Sequence, residues 1–140
     1  MPYWLLKTEP STYGFPDLER DRRTRWDGVT NAQAQAHLRA MRAGDEVVVY
    51  HSGAKEAVGL ARVARAAYPD PGDPSGRRVA VDVAAGAPLP RPVGLDELKG
   101  DGAFAGSPLL RQGRLSVVPL DASQWKALAR LARRKASLGE

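Results

Sequence analysis

Short apolar runs, each cut off by proline, glycine or a change of hydrophobic period, set the tightest limit on what this chain can fold into. Tyr3–Thr8 is aromatic and apolar, reads as a buried strand, and stops at Glu9-Pro10. Pro16, with Asp17 and Glu19 behind it, suits a short helix start, and the charged run Arg20–Arg25 reads as loop. Thr30 stands three residues before Gln33, the spacing of a capping box. Ala34, Leu38 and Met41 then follow at helical period, up to a stop at Gly44. Glu46–His51 and Val58–Ala67 read as an antiparallel pair joined through Ser52–Glu56.

Tyr68–Gly76 is a loop by composition, and Val79, Val81 and Val83 alternate with smaller or polar residues, as a half-buried strand requires. The proline-rich stretch Pro88–Pro92 reads as a connection leading to a short helix at Asp96–Lys99. Leu115–Leu120 is the last expected strand. Asp121 can cap a C-terminal helix with Trp125, Leu128, Leu131 and Ala132 on its apolar stripe, leaving Lys126, Arg130, Arg133 and Arg134 largely outside. The expected architecture is α+β: a small, partly open β-barrel of five or six strands flanked by short helices. A chain of 140 residues with 43% hydrophobic content suits one domain, 1–140, around one core.

Composition excludes some chemistry. With no cysteine there are no disulfides, thiolate nucleophiles or zinc-thiolate sites. The two histidines, His37 and His51, form no metal motif, no catalytic carboxylate pair is recognisable by spacing, and neither GxGxxG after a strand nor a P-loop occurs, so no cofactor is expected. Twenty-one Lys plus Arg against sixteen Asp plus Glu give a net charge of +5, which favours polyanionic partners. No apolar stretch approaches the roughly twenty residues of a membrane span, and no signal peptide opens the chain, so a soluble, cytoplasmic protein is expected.

Several segments together carry a family resemblance: YWLLKTEP at 3–10, WDGV at 26–29, NAQA at 31–34, GDEVVVYHS at 44–52, VGLARVARAAYPDP at 58–71 and RLSVVPL at 114–120. In this combination the chain resembles the EVE domain, a member of the PUA-like superfamily that also includes YTH readers. The resemblance implies a non-catalytic module that captures one modified base of a nucleic acid in an aromatic pocket. DNA carrying a modified cytosine is favoured. Alternative readings are a reader of modified RNA, an enzyme of nucleic-acid modification or repair, and a pocket for a free nucleobase-like metabolite.

Holding a flipped-out base requires a stacking plane, fixed groups for the base edge and cations for the phosphates outside. Trp26, between a charged loop and Gly28, is the candidate plane. Asn31, at the start of a helix whose cap Thr30 and Gln33 already supply, is free to meet the base edge. Lys7 and Thr8 end the first strand where, by the resemblance, a bound nucleotide is contacted. Tyr50, His51 and Ser52 end another strand with three polar tips, although period-2 geometry sends His51 opposite to the other two. Arg114 and Ser116 share a face that the resemblance places beside the pocket, with Lys7 and Arg114 on the phosphates. Trp4 and Trp125 are assigned to the core.

Overall fold

The structure is a computed structural model and describes residues 2–133. The expected position of Arg134 lies outside these. Six strands form one mixed, open sheet: β1 (Tyr3–Thr8), β2 (Arg23–Trp26), β3 (Glu46–His51), β4 (Glu56–Pro69), β5 (Val79–Gly94) and β6 (Val117–Leu120), in the order β2-β5-β4-β3-β1-β6. Short helices flank it: α1 (Pro10–Tyr13), α2 (Phe15–Asp21), α3 (Ala32–Ala40), α4 (Leu95–Lys99), α5 (Pro108–Arg111) and α6 (Ala122–Ala132), with a 3-10 turn at Gly102–Phe104. The α+β, partly open arrangement expected from the sequence is the one observed, with β2 and β6 as its unjoined edges. Among the described residues no helix is long and apolar enough to cross a membrane.

β1 and β3 run parallel, in register from Tyr3 opposite Glu46 to Thr8 opposite His51. Both are buried along their middles, Trp4–Leu6 and Val47–Tyr50, because parallel strands are covered on both faces. Around them α3 packs against β4, β5 and β6, and α6 against β5 and the 3-10 turn. Trp4 is 5% exposed. Its indole Nε1 donates to Asp45 Oδ2 at 3.0 Å, and the Arg42 amide donates to the same oxygen at 2.9 Å. That buried carboxylate fixes the turn into β3, where Gly44 takes φ +95°, a value L side chains rarely adopt. Trp125 is only half-buried, stacked on Tyr3 with ring centroids 4.9 Å apart and planes at 21°.

Four segments differ from the sequence reading, the first three because of a distant partner. Arg20–Arg25 is not loop: α2 runs to Asp21, Arg22 turns the chain in a left-handed conformation (φ 69°), and β2 pairs antiparallel with Val81–Ala84 of β5. Tyr68 and Pro69 extend β4 opposite Ala80 and Val79. Pro88–Pro92 belongs to β5, paired on one side with β4, while β2 covers the other side only as far as Ala84; beyond it β5 is an edge, where a missing N–H costs little. The last strand begins at Val117, with Arg114–Ser116 outside it.

One close contact locks the helical layer onto the sheet. Gly59 of β4 lies under the Phe15 ring, so that a Cβ there would sit 2.3 Å from the nearest ring carbon. Gly59→Ala is expected to destabilise the fold by about 1–3 kcal/mol through overpacking. Thermal or urea denaturation measures this, and Phe15→Leu in the same chain should recover part of the loss.

Candidate nucleic-acid interface

The edge strand β2 faces the end of β1 across a cleft of about 780 Å³. One wall is β2 and the turn after it, Thr24 to Asn31; the other is the end of β1, Lys7 to Glu9, with Arg114 and Ser116 ahead of β6. Thr12 and Tyr13 of α1 also line it. Six of the nine residues singled out from the sequence therefore converge here: Trp26, Asn31, Thr8, Ser116, Lys7 and Arg114.

Trp26 ends β2 opposite Val81, half-buried, with part of its ring against the core and part available to the cleft. Asn31 plays a different part from the one read in the sequence. It is itself the N-cap of α3: Oδ1 accepts from the Ala34 amide at 2.9 Å, so the Thr30–Gln33 capping box does not form. The residue is exposed at the cleft wall and keeps its amide nitrogen for another partner. The Thr8 hydroxyl donates to the Tyr13 carbonyl at 2.6 Å, tying β1 to α1. Ser116 uses its carbonyl to receive the Lys7 amide at 2.9 Å, extending the β1–β6 ladder by one bond.

Lys7 is half-buried. Its Nζ donates to the Gly113 carbonyl at 2.9 Å and lies 5.6 Å from the Tyr50 ring centre. Burial holds its pKa below the ordinary lysine value. Arg114 is exposed and makes no ion pair among the described residues. Arg25, by contrast, pairs with Asp27 at 3.3 Å on the cleft rim.

Tyr50, His51 and Ser52 lie outside the cleft. The strand alternates as its geometry requires: Tyr50 and Ser52 line a separate small pocket beyond Lys7, while His51 turns the other way. His51 Nε2 accepts from the Phe15 amide at 3.0 Å at the start of α2, a structural bond.

Two buried residues that sequence reading passed over hold the Trp26–Asn31 wall in place. Asp70 (5% exposed) accepts from Gly28 N at 3.0 Å through Oδ2 and from Gly72 N at 2.8 Å through Oδ1. Gln35 (4% exposed) donates to the Val29 carbonyl at 2.8 Å and the Val79 carbonyl at 3.1 Å, and accepts from Val79 N at 2.8 Å. Gly28 sits at φ +72°, so the turn needs glycine. An Asp in a proline-rich loop and a Gln within a helix carry no local signal of such reach. Among the described residues no cluster of His, Cys, Asp or Glu could hold a metal ion.

The open sheet thus carries a polar, cation-flanked cleft with a tryptophan on one wall. The EVE domain family model matches residues 2–131, and the chain belongs to that family. Thymocyte nuclear protein 1 of Rattus norvegicus is 35% identical over 153 residues, covering 84% of this chain and 68% of the rat protein. The matched stretch of the Homo sapiens relative is 40% identical but shorter, 49% of this chain and 36% of that protein. Among solved structures, Rpa0253 from Rhodopseudomonas palustris superposes with a TM-score of 0.89 at 38% identity, over 100% of both chains. Human THYN1, solved in complex with 5-methylcytosine containing DNA, gives 0.87 at 31% identity, over 97% of this chain and 100% of that one. The fold extends to the YTH domain of Zygosaccharomyces rouxii MRB1, with a TM-score of 0.61 at 15% identity over 98% of this chain and 87% of that one.

Asn31 offers a test that separates cap from ligand. Asn31→Ala should lower stability by about 1 kcal/mol, the usual cost of a lost N-cap. Asn31→Asp should keep the cap and the stability yet weaken binding of any anionic ligand, because it places a carboxylate on the cleft wall. Denaturation and binding measured on both variants check the pair of outcomes.

Proposed function

We propose that this protein is a non-catalytic reader of a modified base in nucleic acid, with modified cytosine in DNA as its ligand. The observation that carries the proposal is the seam cleft. It combines one aromatic wall at Trp26, held rigid from behind by Asp70 and Gln35, with an amide at Asn31, hydroxyls at Thr8 and Ser116, and cations at Lys7 and Arg114. Stacking on Trp26 supplies affinity for the extruded base, the polar groups meet its edge, and the cations hold the flanking phosphates. The preference for DNA and for modified cytosine is supported by the human THYN1 structure, solved with 5-methylcytosine containing DNA and 31% identical across nearly the whole chain.

Binding without chemistry on the base fits the state of the acidic groups. Asp27 is ion-paired to Arg25, and the Glu9 carboxylate caps α1 through the Ser11 amide, at the long distance of 3.5 Å. His51 is committed to Phe15 outside the cleft.

Trp26→Ala is expected to weaken binding of a 5-methylcytosine oligonucleotide by about 1–3 kcal/mol, the worth of one stacked base. Its circular dichroism should match the parent, because Trp26 is half-buried at a strand end. Unchanged affinity in the variant overturns the proposal. A panel of modified and plain, DNA and RNA oligonucleotides tests the ligand class: preference for modified RNA would replace DNA, and tight nucleoside binding with no oligonucleotide affinity would point to a metabolite pocket.

Arg114→Ala should flatten the dependence of log affinity on log salt by about one phosphate, 0.7–0.9 in slope, while leaving nucleoside affinity unchanged. A salt titration by fluorescence anisotropy measures it.

A further inference from the structure

The cleft has a smaller neighbour. A pocket of about 190 Å³ lies on the far side of Lys7, lined in part by Tyr50, Ser52 and Lys55 and by no carboxylate. The two cavities have Lys7 in common. The bond from Lys7 Nζ to the Gly113 carbonyl forms the ridge between them, with Arg114 lining the cleft and Lys55 the side pocket.

The cations along this line lack carboxylate partners, as do several others on the described surface. Arg20, Arg23, Arg25, Arg91 and Arg130 are all held in ion pairs with carboxylates. Arg114, Lys7 and Lys55 make none among the described residues, and they fall in that order along two cavities that meet at one residue. Lys55 also stands in a left-handed conformation (φ 57°) in the turn between β3 and β4. Glycine or asparagine would occupy it with less strain, so a lysine is held there at an energetic cost. The wall is mixed: Leu95 and Leu109 supply an apolar side, while two lysines, a serine hydroxyl and a tyrosine supply charge and hydrogen-bonding groups that suit a phosphate.

We infer that the side pocket is a second phosphate subsite, taking a phosphodiester next to the captured nucleotide, so that the ligand strand runs from Arg114 in the cleft across the Lys7–Gly113 ridge to Lys55. The inference rests on the nucleic-acid reading above and adds to it the path of the strand. The ligand is then a stretch of chain, and Tyr50 and Ser52 belong to its backbone rather than to the base.

The test uses the 140-residue chain, a short single-stranded DNA with a central 5-methylcytosine, and 5-methyl-2′-deoxycytidine as the free nucleoside. Lys55→Gln is expected to flatten the log–log salt slope for the oligonucleotide by about 0.7, so that a tenfold rise in salt weakens the variant roughly fivefold less than the parent. Nucleoside affinity should not move. Lys126→Gln, which removes the same charge from the exposed face of α6, should leave the slope unchanged. An unaltered slope in Lys55→Gln, an equal change in Lys126→Gln, or a parallel loss of nucleoside affinity each overturns the subsite while leaving the reader proposal standing. Failure of the parent protein to bind any oligonucleotide overturns both.

Discussion

The parallel pairing of Tyr3–Thr8 with Glu46–His51 is the constraint from which the rest of the molecule follows. Two parallel neighbours cannot be joined by a hairpin, so the chain must leave the end of β1, cross the sheet and return before β3 can begin. Everything from Glu9 to Asp45 is that crossover. It contains α1, α2, the edge strand β2, the Trp26–Asn31 turn and α3, and so delivers one entire wall of the cleft. The opposite wall comes from β1 itself and from the segment ahead of β6, which pairs with β1 on its other side. The cleft is thus the seam left where the sheet does not close.

An open seam would be a poor site if its walls could move freely, since a loosely held stacking plane loses both affinity and selectivity. Two buried polar side chains prevent this. Asp70, from the β4–β5 connection, takes the Gly28 amide, and Gln35, from α3, takes the Val29 carbonyl while completing two bonds at the start of β5. Both are fully engaged, as buried polar groups must be. Loss of either leaves unsatisfied groups on the backbone between Trp26 and Asn31, so wall rigidity and fold stability are coupled at this point.

The cations follow a related logic. Arg20, Arg23, Arg25, Arg91 and Arg130 are each neutralised by a nearby carboxylate. Arg114, Lys7 and Lys55, which border the two cavities, are not. A polyanion that reaches the cleft therefore meets unneutralised cations beside the aromatic wall.

The strands β1 and β3, the helix after Asn31 and the capped helix after Asp121 were legible in the sequence because each rests on a local signal, an apolar run or a helical period with its cap. Trp26, Lys7, Thr8, Ser116 and Arg114 were legible as cleft residues only through the combination of segments that carries the family resemblance. What the sequence could not decide was set by partners far along the chain. Arg23–Trp26 became a strand because β5 offered an edge, and Pro88–Pro92 could join that strand because its outer side stayed unpaired. Asn31 displaced Thr30 as the cap, and Asp70 reached Gly28 across 42 positions of sequence. Local residue pattern marks most of the strands and helices; only tertiary packing decides which of them come to face one another, and in this protein that meeting of β2 with the end of β1 forms the cleft.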